Sequence, residues 1–207
     1  MRPDEIEKKS MSIIAAELGE RHIPEECLPV VLRVIHATAD FDFADNLVFS
    51  EGAVRSGLTA LTSGISIVTD THMAASGINK KAFLPSGGEV RCYVADDDVA
   101  DEARKRGVTR SLVAMERAAE AFPRGVFAIG NAPTALLRLC ELIDEGVVSP
   151  SLVIGVPVGF VNVVESKETL LKKDVPRIVA RGRKGGSTVA AAIVNALLFQ
   201  ATGQKLS

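Results

Sequence analysis

Val126-Phe127-Ala128-Ile129-Gly130-Asn131-Ala132-Pro133-Thr134 is the stretch on which the fold turns. Its apolar residues run together up to Gly130 without alternating with polar ones, so a strand here has both faces covered. The helical pattern over 132–145 carries Pro133 in its first turn, where a missing N–H costs nothing, and Gly146 stands just past its end. A second apolar run, Leu152–Val156, follows directly. Strand, helix, strand, with both strands apolar throughout, is the pattern of a parallel sheet packed between helices.

The same alternation extends outward in both directions. Ile65–Thr69, Val90–Ala95 and Val175–Ala180 read as further strands. Glu25–Ala37 reads as a helix with Leu28, Val31, Leu32 and Ile35 on one stripe, and Thr109–Phe122 repeats the pattern with Leu112, Met115, Ala119 and Phe122. Ser187–Gln200 opens with a capping serine and is apolar nearly all round, so it belongs in a core or a subunit interface. Asp96-Asp97-Asp98 precedes a short helix ending near Gly107, where negative charge suits the helix N-terminus. No repeat, low-complexity tract or linker divides the chain. The expectation is an α/β protein, a three-layer α/β/α sandwich with a mainly parallel sheet and a helical N-terminal extension, forming a single domain over 1–207.

Composition narrows the function. A chain of 207 residues with 47% hydrophobic and 24% charged residues folds around one substantial core. The net charge of -2 supplies no basic surplus for nucleic acid, so no nucleic-acid partner is expected. Cys27, Cys92 and Cys140 are scattered within apolar runs, as reduced core thiols of a cytoplasmic protein would be. The charged N-terminal stretch resembles no signal peptide. The longest apolar stretch, Val189 to Ala201, is broken by Asn195 and falls short of the ~20 residues that span a bilayer. No membrane association is expected.

In an open parallel sheet, ligands bind beyond the carboxyl ends of the strands. The loops there read Thr69-Asp70-Thr71-His72-Met73, Gly130-Asn131-Ala132-Pro133-Thr134, Gly155-Val156-Pro157-Val158-Gly159-Phe160 and Arg181-Gly182-Arg183-Lys184-Gly185-Gly186-Ser187. The last has adjacent glycines, three cations and a helix N-terminus behind it, so it suits an anion, phosphate or carboxylate; a plain tight turn before a buried helix is the other reading. It is not a P-loop, and no Gly-x-Gly-x-x-Gly follows an early strand. The three histidines and three cysteines lack metal-ligand spacing, so no protein-bound metal is expected. No hydrolytic nucleophile motif is present.

Arg33-Val34-Ile35-His36-Ala37-Thr38-Ala39-Asp40 closes the first long apolar helix. Arg33 and His36 lie three residues apart at one margin of the apolar stripe, with Thr38 and Asp40 following as the helix ends. Histidine gives and takes a proton near neutrality, which makes His36 the candidate catalytic group. A histidine simply favoured by the helix dipole is the alternative. His22 reads as a solvated loop residue, whereas His72 lies at a strand end beside Asp70.

These motifs, in this order, resemble the precorrin-8X methylmutase family and its anaerobic counterpart, the cobalt-precorrin-8 methylmutases of cobalamin biosynthesis. The resemblance runs through Ile6-Glu7-Lys8-Lys9-Ser10, Arg33 to Asp42, Asp70 with Met73 and Gly77-Ile78, Thr109-Arg110-Ser111, and Gly130 to Leu136. It continues through Gly155 to Phe160 and Gly182 to Ser187. Ala39 departs from it, standing where glycine is expected.

The resemblance implies an isomerase that moves a methyl group from C11 to C12 of the tetrapyrrole, giving hydrogenobyrinate or its cobalt-containing equivalent without redox cofactor or methyl donor. It implies a flavodoxin-like sheet and a homodimer with active sites near the subunit interface. His36 then acts as proton donor and acceptor toward ring C, and Ser10, Arg33, Thr38 and Arg110 as substrate-binding residues. A substrate rich in acetates and propionates suits guanidinium groups and helix N-termini, which makes a propionate the expected anion of the glycine-rich loop. Two other readings stand beside this one: a corrinoid carrier without catalysis, and an unrelated nucleotide-phosphate transferase. Whether the macrocycle carries cobalt is open.

Overall fold

A computed structural model of the chain describes residues 2–203. In chain order the elements are α1 (Pro3–Leu18), α2 (Leu28–Thr38), α3 (Phe43–Asn46), β1 (Leu47–Phe49), α4 (Ala53–Thr62), β2 (Ile67–Thr69), α5 (His72–Gly77) and α6 (Lys80–Phe83). After a 3-10 turn at Leu84–Ser86 come β3 (Val90–Arg91), α7 (Asp97–Arg106), α8 (Arg110–Ala121), β4 (Val126–Ile129), α9 (Pro133–Asp144), β5 (Leu152–Gly155), α10 (Val163–Leu171), β6 (Arg177–Ala180) and α11 (Ser187–Thr202).

The strands lie in the order β1-β6-β5-β4-β2-β3, with β1 antiparallel to β6 and all other neighbours parallel. Without the edge strand β1, the five parallel strands taken in chain order lie 2-1-3-4-5, the doubly wound order of flavodoxin-like sheets.

Both faces of the sheet are buried, which is why its strands are apolar runs. Ile67, Val126, Ala128, Leu152, Ile154, Ile178 and Ala180 join one core with α2, α4 and α11. Their strand neighbours Val68, Phe127, Ile129, Val153 and Val179 join the other with α8, α9 and α10. Each large side chain so buried contributes about 1.5–3 kcal/mol. In α11 every residue from Val189 to Leu198 is buried except Asn195, which accepts from the Asn79 amide and donates to the Gly77 carbonyl. Helix α1 packs Ile14 and Leu18 onto the α2 side and forms the N-terminal extension. Among the described residues, no helix is long and apolar enough to cross a membrane.

Element ends differ from the sequence reading for local reasons. The expected strand over Val90–Ala95 stops after Arg91, because the chain turns there with the Asp96 amide on the Tyr93 carbonyl. Residues 25–27 form a turn bonded to the Pro24 carbonyl, so α2 begins at Leu28. Strand β6 begins at Arg177, since Pro176 before it has no N–H to pair. Strand β1 is an addition: three edge residues, Leu47 buried and Val48 and Phe49 half-buried, leave no periodic signal.

Candidate active site

In this strand order the topological switch point lies between β2 and β4, where a flavodoxin-like sheet usually opens a ligand crevice. Here the chain fills it with its own anion. Asp70, directly after β2, is buried; its Oδ1 accepts from the Gly130 amide at 2.9 Å, and its Oδ2 from the Asn131 and Ala132 amides at 2.8 and 2.7 Å. Burial pushes this carboxyl above the usual carboxylate range, against the opposing pull of the three N–H donors. The loop amides before α9 are thereby occupied, and the other residues singled out near the glycine-rich loop lie further along the carboxyl edge, toward β6, α2 and α11.

His36 stands there, in the last turn of α2, half-buried and with no hydrogen bond among the described residues. The helix ends at Ala39, whose φ of 53° is left-handed; this is the position where the family resemblance calls for glycine, and an L side chain is strained in it. Thr38 donates its hydroxyl to the Val34 carbonyl at 2.8 Å and accepts from the Asp40 amide at 3.3 Å, which folds the chain back after the helix.

The glycine-rich loop is tied to this helix end. Lys184 Nζ lies 2.6 Å from one carboxylate oxygen of each of Asp40 and Asp42. Those hydrogen bonds hold the Lys184 amine above its ordinary range and the Asp40 carboxyl below its own. Two further contacts pin the loop against the sheet. Gly186 N donates to the Val156 carbonyl at 2.8 Å, and Gly185 lies so close that a Cβ there would sit 2.1 Å from the same oxygen. Ser187 Oγ and Thr71 Oγ1 are 2.7 Å apart, linking the start of α11 to the loop after β2.

The remaining residues singled out from the sequence are placed differently from one another. Arg33 and His36 share one face of α2, but the Arg33 guanidinium is engaged inside the chain. Its Nη2 donates to Glu7 Oε1 at 3.0 Å, with only 14% and 15% of the two side chains exposed, and it lies over the Phe199 ring at 5.0 Å. Ser10 is half-buried on α1, one turn along from Glu7. Arg110 opens α8 on the opposite layer, exposed, beside the Thr109–Thr134 hydrogen bond. His72 is exposed at the start of α5 and His22 lies exposed between α1 and α2. Cys27, Cys92 and Cys140 are free and buried, with the Cys140 thiol pushed up to about 12 by desolvation. Among the described residues, no three or more His, Cys, Asp or Glu side chains gather as a metal site.

Two features escape a reading of the sequence. Lys167 on α10 is fully buried, its Nζ on the Gly182 and Lys184 carbonyls at 2.8 and 2.7 Å. Large apolar side chains also crowd the exposed rim: Met73 is 70% exposed, Phe160 84% and Val161 78%, with Arg183 over the Phe160 ring at 5.4 Å. A single Met or Phe in a loop signals nothing until the fold gathers the loops on one edge. Together the edge offers a titratable imidazole, a cationic loop and apolar walls, which suits an anionic ligand with a broad apolar body.

The sequence matches the profile of the family described as precorrin-8X methylmutase over residues 5–200. It is 47% identical over 204 residues to a cobalt-precorrin-8 methylmutase of Salmonella typhimurium, covering 96% of this chain and 95% of that one. It is 46% identical over 197 residues to the cobalt-precorrin-8 methylmutase of Priestia megaterium, covering 95% and 88%. A precorrin-8X methylmutase of Pseudomonas aeruginosa is 43% identical over 194 residues, covering 93% of each. The crystal structure of a precorrin-8X methylmutase from Thermus thermophilus superposes with a TM-score of 0.90 at 42% identity, covering 96% of both chains. The chain belongs to the precorrin-8X methylmutase family.

Proposed function

We propose that the chain isomerises precorrin-8X or cobalt-precorrin-8 by moving a methyl group from C11 to C12, with His36 as proton donor and acceptor. The observation that carries this reading is His36 itself, a half-buried imidazole with no partner among the described residues, set beside a cationic loop at the carboxyl edge of the sheet. The protonated imidazole delivers its proton to the macrocycle near ring C. The C11–methyl bond breaks as the C12–methyl bond forms, and the proton returns to His36, so substrate and product have the same composition. Nothing is oxidised and no donor is consumed, so no cofactor is needed.

Substrate carboxylates meet the Gly182–Ser187 loop, Ser10 and Arg110; at Arg33 a carboxylate competes with Glu7, and at Thr38 it competes with the Val34 carbonyl for the hydroxyl hydrogen. Met73, Phe160 and Val161 offer apolar surface to the ring and to the second subunit of a homodimer. Buried free thiols and the absence of any basic surplus suit a cytoplasmic enzyme with no nucleic-acid partner.

The test is His36→Ala, with conversion followed by absorption spectroscopy. General acid–base catalysis is worth ~10²–10⁴-fold, so turnover falls by that factor while product still binds. Normal turnover by the variant refutes the mechanism. A carrier shows binding without conversion in the wild type as well, and tight nucleotide binding would favour a phosphate site. Metal-free and cobalt-loaded substrate, offered in parallel, decide which form is natural.

A further inference from the structure

We propose that Lys167 is a positioning residue for substrate: it turns the carbonyls of the glycine-rich loop inward and places a buried positive charge beneath the face that receives a substrate carboxylate. This rests on the reading of that loop as a carboxylate site.

Three successive carbonyls of the loop are taken up, two of them from the interior. Lys167 Nζ donates to Gly182 O and Lys184 O, and Gly159 N donates to Arg183 O at 3.2 Å. The amides of Arg183, Lys184 and Gly185 make no hydrogen bond among the described residues. The loop therefore has its acceptors taken up and three amide donors left over, which is the balance an anion requires. An apolar side chain would fill the same space without the cost of burying an ammonium group, so packing alone does not account for a lysine here.

Among the described residues, no carboxylate pairs with it. On α10, Glu165 is exposed and Glu168 pairs with Arg181 at 3.4 Å. On α9, Glu141 and Glu145 bind Arg138, and Asp144 binds Lys173. On β6, Arg177 is bonded to the Lys173 and Val175 carbonyls. Desolvation brings the Lys167 ammonium down to about 8. In the loop, Asp40 and Asp42 hold Lys184 above its ordinary range. Neutral Lys167 keeps two N–H groups, enough for both carbonyls, so above this point the loop keeps its shape while the buried charge beneath it is lost. A carboxylate that needs that charge then loses affinity by at most about tenfold per pH unit.

The experiment is steady-state conversion of precorrin-8 by the full-length wild type, Lys167→Met and Arg183→Ala, between about pH 7 and pH 9.5, with melting temperature in parallel. For Lys167→Met, KM rises by at least about tenfold while kcat, set by His36, stays within about threefold. The rise of wild-type KM above about pH 8 is absent from this variant. An unchanged KM, or an alkaline rise that persists in Lys167→Met, overturns the proposal. If Lys167→Met does not fold, the wild-type profile decides: a KM flat across that range overturns it. Arg183→Ala raising KM while Lys167→Met does not removes the role of Lys167 alone; neither raising it removes the carboxylate reading of the loop as well.

Discussion

Asp70→Asn isolates the contact that closes the switch point. The amide has the shape of the carboxylate but only one acceptor oxygen. If that oxygen serves the Asn131 and Ala132 amides, the new NH2 group faces the Gly130 amide, donor against donor, where Oδ1 now accepts at 2.9 Å. At least one buried N–H is left unpaired, at about 1–3 kcal/mol, and the surviving bonds lose their charge assistance, roughly 1 kcal/mol each. Removing a charge whose burial opposes ionisation returns part of this. The net expectation is a loss of about 3 kcal/mol, or roughly 6–12 °C in melting temperature for a domain of this size. Urea unfolding with an unchanged m-value confirms that the loss belongs to the native state. A melting temperature within about 2 °C of wild type refutes the reasoning, because it would mean that the three amides do not depend on the carboxylate.

Two further predictions concern stability. Ala39→Gly relieves a left-handed alanine, worth ~1–2 kcal/mol, at the expense of ~0.5–1 kcal/mol of unfolded-chain entropy, so calorimetry should show a rise of a few degrees at most; a fall contradicts the strain. Glu116 on α8 joins Arg106 of α7 to Arg138 of α9, and the hydrogen bond from Arg106 first of all holds its carboxyl below the usual range. Its folded value lies below its unfolded one, so its contribution is present above the ordinary glutamate value and is lost as pH falls through the lowered one. Glu116→Gln should cost on the order of 1 kcal/mol at neutral pH and flatten that acid limb, as read by urea midpoints from about pH 3 to pH 6; an unchanged limb assigns the acid sensitivity elsewhere.

The layered fold was legible because each inner strand must be apolar on both faces, and a run such as Val126–Ile129 has few other homes. Strand β1 was not, because three edge residues that take their order from Arg177 to Ala180, far along the chain, carry no period of their own. In the site, His36 and the glycine-rich loop were visible as local patterns: a titratable residue at a helix end, and glycines before a helix. Lys167 was not. In Val163-Val164-Glu165-Ser166-Lys167-Glu168 it reads as one more surface cation, and only the return of the chain at Gly182 and Lys184 buries it. Arg33 was legible only in part. Its spacing from His36 makes a tidy pair, yet Glu7, twenty-six residues away, takes up the guanidinium.

What the chain has already paired along the carboxyl edge says what remains for a ligand. Asp70 is held by three amides, Thr38 by the end of its own helix, Lys184 by two aspartates, and Lys167 by two carbonyls. Left over among the described residues are the His36 ring and Ser10 on one layer, Arg110 on the other, and the loop amides with Arg183 between β6 and α11. A phosphate needs only one such donor group. To engage all of them a ligand must straddle the sheet edge, carry anions at several points of its rim, and set an apolar body against Phe160, Val161 and Met73. Those are the demands of a tetrapyrrole bearing acetates and propionates. At the switch point three amides already hold Asp70, which fits the proposal that the chemistry takes place at the end of α2.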